Sequence, residues 1–311
     1  PGKESAVPAY IQRLEGYAGT RAKSEGKDTG FADWSHPELR RFTLEFYEKF
    51  AARYDGDRRL AYVQTGFGLW AEYHIYDGPM KLGGTFPDLG FQASFARKVS
   101  AVLRQTPWTI SVDAANEWAP FVGSAELLAL PFGVADDSFL NKNHAKENAP
   151  NWAALGGDRW QRAVAGGEFS YYTKADQKLA LSKKGPHGIP FEKAAAQFHL
   201  SFIIGSDQPS YQKLERIAEA GQACGYRLRI TRFVSAAGRS EVTVENGGVA
   251  PLYFPAYVAV EGVRAGSSLK GLLPGQSRVF QVAAGGAAPR LTVECDRLVP
   301  GQRIEYEADL K

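Results

Sequence analysis

The sequence predicts an α/β fold: a (β/α)8 TIM-type barrel that lacks its first three strands in this chain, followed by an all-β sandwich. Two patterns carry that expectation. First, five short apolar runs alternate with helical patterns between residues 35 and 224, which is the signature of a parallel sheet. Second, after Gly225 the pattern becomes short, often alternating runs broken by Asn246-Gly247-Gly248, Pro274-Gly275 and Pro300-Gly301, as in a small antiparallel sandwich. The expected domains are therefore 1–224 and 225–311. An open five-stranded doubly wound sheet is the alternative to the barrel.

The elements follow in order. Val7 to Tyr17 reads as a short helix, and Gly19 to Asp33 as a polar, Gly-rich loop. Ser35-His-Pro-Glu38 has the form of a capping box with Pro37 in the first turn. The helix it opens runs to about Tyr54, with Leu39, Phe42, Phe46 and Phe50 as its apolar face. Ala61 to Val63 is a buried strand that opens into a Gly-rich, aromatic mouth, Gly66 to Tyr73, holding Glu72.

The unit then repeats. Phe91 to Leu103 is helical, and Pro107 to Asp113 is a strand ending in a carboxylate. Ser124 to Leu128 is a short helix. Leu130 to Val134 is a strand ending in Asp136-Asp137. Trp152 to Arg162 is helical, Val164 to Gly167 is a strand ending in Glu168, and Phe191 to Gln197 closes a helix. Phe198 to Ile204 is a strand, and Tyr211 to Cys224 a helix.

A barrel uses roughly 31 residues per unit, so Glu72 and Glu168 lie about three units apart. If Phe198 to Ile204 is the last strand, Glu72 closes strand four and Glu168 closes strand seven. Strands one to three are then expected to lie outside this sequence, before Pro1-Gly-Lys3: either the chain is truncated or a companion N-terminal segment supplies them.

Bulk properties narrow the function. Net charge is +3, from 37 basic and 34 acidic residues, and no basic stripe is present, which argues against nucleic acid as the main partner. No apolar run approaches the roughly 20 residues of a membrane span. Cys224 and Cys295 lack metal-site spacing. Buried thiols and a disulfide both remain open for them.

The candidate chemistry is a carboxylate pair, Glu72 and Glu168. Glycoside hydrolysis needs one carboxyl to protonate the leaving oxygen and another to attack or to activate water. Glycines precede both glutamates, and aromatic residues flank both: Trp70 and Tyr73, then Phe169, Tyr171 and Tyr172. Flat rings suit the apolar faces of sugars. Trp70, Tyr73, His74, Asp136, Asp137, His144, Tyr171 and His199 are the expected substrate-binding residues. The plainer readings are surface ion pairs for the glutamates, a turn or cap for Asp136-Asp137, and structural roles for the histidines. Asp113 and Glu117 sit similarly, and Gln64 is a candidate inward-facing polar group. Glu72-Tyr-His74 suggests a metal, but no spaced His/Cys/Asp set completes a ligand shell, so neither metal nor cofactor is expected. Gly66-Phe-Gly-Leu-Trp-Ala71 matches a dinucleotide fingerprint only loosely, because no helix pattern follows at once and Trp70 would crowd a pyrophosphate.

Tyr54-Asp-Gly-Asp57 and Val63-Gln-Thr-Gly-Phe-Gly-Leu-Trp-Ala-Glu-Tyr-His74 resemble segments of a family of bacterial glycoside-hydrolase-like barrels. These are domains of unknown function near the β-galactosidase-like group. Gly133 to Phe139, Gly166-Gly-Glu-Phe169 and Val244 to Pro251 resemble that family in the same order. The resemblance implies a TIM-type barrel with a C-terminal β-sandwich, in exported proteins (secreted, periplasmic or cell-surface) that act on polysaccharides. It implies Glu72 as acid/base and Glu168 as nucleophile, the strand-four and strand-seven positions of the large barrel clan. Ala71 departs from that clan, which has there an Asn that holds the sugar's 2-hydroxyl. The rival readings are a non-catalytic carbohydrate-binding protein on the same scaffold, and a structural scaffold whose sandwich contacts other proteins.

Overall fold

The computed structural model describes residues 4–308. Pro1-Gly-Lys3 lies outside the described residues. The chain divides into two compact units, one of residues up to 56, 62–137 and 145–157, the other of residues 57–61, 138–144 and 158 onward.

The first unit begins with α1 (Ala9–Gln12), shorter than expected, and then a hairpin. Its strands are β1 (Thr20–Ser24) and β2 (Lys27–Phe31), paired antiparallel where the sequence reads as a loop. The hairpin closes on two residues, Glu25 and Gly26, both with positive φ (50° and 71°), the geometry of a tight primed turn. Phe31 anchors it in a small core with Ile75 and Phe86.

Next comes α2 (Pro37–Tyr54). Its cap is His36, not Ser35: the imidazole accepts the Glu38 amide at 3.3 Å. The Ser35 hydroxyl instead donates to Asp33 at 2.5 Å. The expected apolar face also moves round the helix. Phe42, Phe46 and Phe50 pack on one another along one stripe, with centroids 6.2 and 6.0 Å apart; Phe46 is exposed and the other two are half-buried. Leu39, Tyr47 and Ala51 face inward, and the Tyr47 ring meets Phe95 edge-on at 4.9 Å.

β3 (Val63–Thr65) lies two residues later than the sequence suggests. α3 (Leu89–Val102), capped by Asp88, precedes β4 (Trp108–Ser111), in which every residue is buried. α4 (Ala125–Leu128) is capped by Ser124, whose hydroxyl accepts the Leu127 amide at 3.2 Å. β5 (Gly133–Phe139) is longer than expected, so Asp136 and Asp137 stand within it. β3 pairs β4, and β4 pairs β5, in parallel register. α5 (Asn148–Gly156) completes this unit.

The second unit contains β6 (Ala165–Phe169), α6 (Lys174–Leu179), α7 (Phe191–Gln197) and β7 (Phe202–Ile204), with β6 and β7 parallel. Gly166 is required there, because a Cβ would lie 2.1 Å from the Phe202 ring. α8 (Gln208–Tyr211) and α9 (Leu214–Gln222) follow. The parallel sheet has the sequential order β3-β4-β5-β6-β7, five strands among the described residues.

After Gly225 come β8 (Leu228–Ala236), β9 (Arg239–Asn246), β10 (Ala256–Val260), β11 (Val263–Arg264), β12 (Ser277–Val282), β13 (Leu291–Cys295) and β14 (Glu307–Ala308). They form two sheets, β12-β9-β8-β14 and β11-β10-β13. Leu228, Ile230, Val242, Val244, Val258, Phe280 and Val293 make their core. Within this unit His199 stacks on Trp160, with centroids 3.5 Å apart and planes 12° apart. His199 Nδ1 lies 2.7 Å from the Val249 carbonyl, and the Tyr253 hydroxyl donates to the Trp160 carbonyl at 2.6 Å. Cys224 and Cys295 are both free and half-buried. No helix among the described residues is long and apolar enough to cross a membrane.

Candidate functional site

Three adjacent parallel strands of the first unit bring their carboxyl ends together, which is where such sheets collect chemistry. Glu72 follows β3, Asp113 follows β4, and Asp137 stands in the last part of β5. A tight loop between β3 and α3 sets the position of Glu72. The Phe67 and Gly68 amides both donate to the Glu72 carbonyl, at 3.2 and 2.9 Å. Gly68 has no alternative, since a Cβ there would lie 1.8 Å from the His74 carbonyl oxygen.

His74 joins the carboxylates. Its Nε2 lies 3.1 Å from Glu72 Oε2, and its Nδ1 lies 3.6 Å from Asp113 Oδ1. The burial of His74 disfavours its charged form. The hydrogen bond to Glu72 and the field of Asp113 outweigh this and raise its pKa. The two carboxylates thus favour the protonated imidazole.

Asp113 and Asp137 are shifted the other way. Burial pushes Asp113 up to about 6, and the Glu72 charge adds to that. Asp137 is pushed up to about 8, again by burial first and then by Glu72 and Asp113. Gln64 donates to Asp137, and Ser111 donates to Asp113 at 3.1 Å while also stabilising ionised Asp137. Near neutral pH the cluster thus combines protonated and ionised carboxyl groups, the arrangement that general acid–base chemistry uses.

The other expected residues divide. Trp70 is 65% exposed at the loop apex. Tyr73 is completely buried, its ring against Phe67 and Phe121, so it serves the core rather than a sugar face. Asp136 is also fully buried, and Asn148 donates to it at 2.6 Å; it ties α5 to β5. In the second unit, His144 is buried edge-on to Phe139 and Phe198, each at 5.1 Å. His199 is held in the stack on Trp160, and burial lowers its pKa. Glu168 stands in β6, and its charge reaches Tyr171, which is half exposed. Glu117 is exposed.

Ser111, Tyr76 and Glu25 were not expected from the sequence. A Ser two positions before an Asp at a strand end was the available signal for Ser111. Glu72 and His74 are not alone as possible metal ligands. Asp113 adds a third ligating group, and the three ligand atoms lie within 4.8 Å of one another. His74 turns both ring nitrogens toward carboxylates, so its own proton competes for the place a cation would take.

No protein-family model matches the chain. No curated protein matches it either. Among solved structures it is similar to an α-amylase from Geobacillus thermoleovorans complexed with acarbose, at 10% identity and a TM-score of 0.35, over 83% of this chain and 67% of that one. It is also similar to an Anoxybacillus α-amylase described as a new glycosyl hydrolase subclass, at 10% identity and a TM-score of 0.33, over 84% of this chain and 66% of that one. The chain spans about two thirds of each amylase.

Proposed function

We propose that this protein is a glycoside hydrolase acting on an oligo- or polysaccharide, with Glu72 as general acid/base. One observation carries the reading: Glu72, His74, Asp113 and Asp137 are gathered at the ends of three adjacent parallel strands, with two of the carboxyl pKa values raised. Proton transfer to a leaving oxygen needs a carboxyl group placed beside other titratable groups, and that is how Glu72 stands.

In the proposed reaction Glu72 gives its proton to the glycosidic oxygen as the bond to the anomeric carbon breaks. A second carboxylate attacks that carbon and forms a glycosyl ester. Water then displaces the ester, with Glu72 taking the water's proton, so the anomeric configuration is retained. Glu168 is the proposed nucleophile, from its place in β6 and its matching motif. Gln64 and Ser111 support Asp137, which holds a substrate hydroxyl. His74 orients Glu72. Export to a periplasmic, secreted or cell-surface location belongs to the same proposal.

The test is hydrolysis of a glycan panel by wild type, Glu72→Gln and Glu168→Gln. Turnover by wild type and its loss in both variants supports the reading. Binding without turnover by wild type means a carbohydrate-binding protein on this scaffold. Turnover that survives Glu168→Gln but not Asp137→Asn moves the second carboxylate into the cluster around Glu72.

A further inference from the structure

The loop that positions Glu72 also holds an aromatic ring out toward solvent. Trp70, at the apex, has φ 58° and ψ 25°, a left-handed conformation that strains a bulky residue. Its ring is 65% exposed, so core burial does not offset that strain. A glycine would meet the backbone requirement with less strain.

The indole is nonetheless fixed in place. Its Nε1–H donates to the Tyr76 hydroxyl at 3.3 Å, and that hydroxyl donates to the Glu25 carboxylate at the tip of the β1–β2 hairpin. The Glu25 amide in turn donates to Asp77. Hairpin and loop are thus tied at two points. Tyr76 is itself 48% exposed, and its ring lies 5.9 Å from the His74 imidazole, at 62°. The indole and phenol are therefore fixed through their polar edges, immediately beside the Glu72–His74 pair.

We propose that Trp70 and Tyr76, braced by Glu25, form a stacking subsite for a pyranose ring adjoining the one handled by Glu72, so that the preferred substrate is an oligosaccharide rather than a monosaccharide derivative. Exposed aromatic faces suit the C–H face of a sugar ring, and the Glu25 carboxylate is a fixed acceptor for its hydroxyls. The neighbouring carboxylates would repel an anionic ligand. The choice of substrate class rests on the hydrolase reading, but the subsite can be tested without turnover.

The experiment is titration of the full chain carrying Glu72→Gln with oligosaccharides of about three to six residues from α- and β-linked glucans, xylan, mannan, galactan and chitin, followed by calorimetry and indole fluorescence. The expected result is binding that tightens from mono- to trisaccharide and that Trp70→Gly weakens about tenfold. Glu25→Ala should produce a smaller loss, because the platform remains but is no longer braced. Trp70→Gly is expected to fold, since it relieves the left-handed strain; Trp70→Asn, which tolerates the same backbone, serves as a second variant. Two results overturn the proposal: no oligosaccharide in the panel binds, or Trp70→Gly binds as tightly as the parent. Oligosaccharide binding through Trp70 in a chain that hydrolyses nothing removes the hydrolase reading and leaves the subsite. Hydrolysis indifferent to Trp70→Gly does the reverse.

Discussion

His74 Nε2 stands 3.1 Å from Glu72 Oε2, while Nδ1 of the same ring stands 3.6 Å from Asp113. A single imidazole thus spans two carboxylates from neighbouring strands. If Glu72 is the acid/base, Glu72→Gln lowers kcat by roughly 10²–10⁴-fold while oligosaccharide affinity stays near that of the parent. Kinetics paired with calorimetry on the same variant check this. A matching loss of affinity would mean that Glu72 binds substrate rather than moving protons.

His74 turns both ring nitrogens toward carboxylates, which gives an expectation about metals. Dialysis against EDTA should leave turnover unaltered. Added Zn²⁺ should inhibit by displacing the His74 proton and drawing in Glu72 and Asp113. His74→Ala should relieve that inhibition. Metal-dependent recovery of activity after dialysis would show that the cluster works as a metal centre.

Asp137 links pH to stability. Its folded pKa, about 8, lies above its ordinary value of 3.8, so the folded chain holds a proton that the unfolded chain has released. Between those two values the folded state binds more protons, and stability falls as pH rises. Asp137→Asn removes this dependence while keeping an oxygen acceptor for Gln64. Thermal melts from pH 5 to 9 should show wild type losing Tm and the variant losing less, at about 2–4 °C per kcal/mol for a chain of this size. Parallel curves would mean that Asp137 is ionised throughout.

Gly68→Ala should destabilise the first unit by about 2–3 kcal/mol, because its Cβ would lie 1.8 Å from the His74 carbonyl oxygen, a backbone atom that cannot step aside. Denaturant melts measure the loss. Gly123→Ala, where a Cβ meets nothing within 4 Å, is the matched control and should melt like wild type.

Much of the parallel sheet was legible because buried strands read as apolar runs and helices as spaced apolar residues. α7 falls at its expected residues, and the major strands after Gly225 fall within a few positions of theirs. The β1–β2 hairpin was hidden because its strands bury small polar groups, Ser24 and Thr29, alongside Phe31, so no apolar alternation marks it. The face of α2 was misjudged because a ladder of phenylalanines also satisfies helical spacing when the rings stack on each other outside the core. Strand order made Glu72 and Asp113 plausible separately. That one histidine would join them depends on how the loop folds back at Gly68, which no spacing rule records. Tyr73 and His74 show the same limit, since adjacent residues of that loop went to opposite fates, one into the core and one to the carboxylates.

The stack of His199 on Trp160, with Val249 and Tyr253 bonded around it, bears on how the molecule comes apart. Cutting the chain at residue 225 would strip the partners from the Trp160 carbonyl and the His199 imidazole. The region from β6 to β7 and the β-sheets beyond it should therefore lose hydrogen-exchange protection in one step. A recombinant fragment ending at Cys224 loses both of these partners, whereas one that starts near Asp158 and continues to the C-terminus retains every one of these contacts.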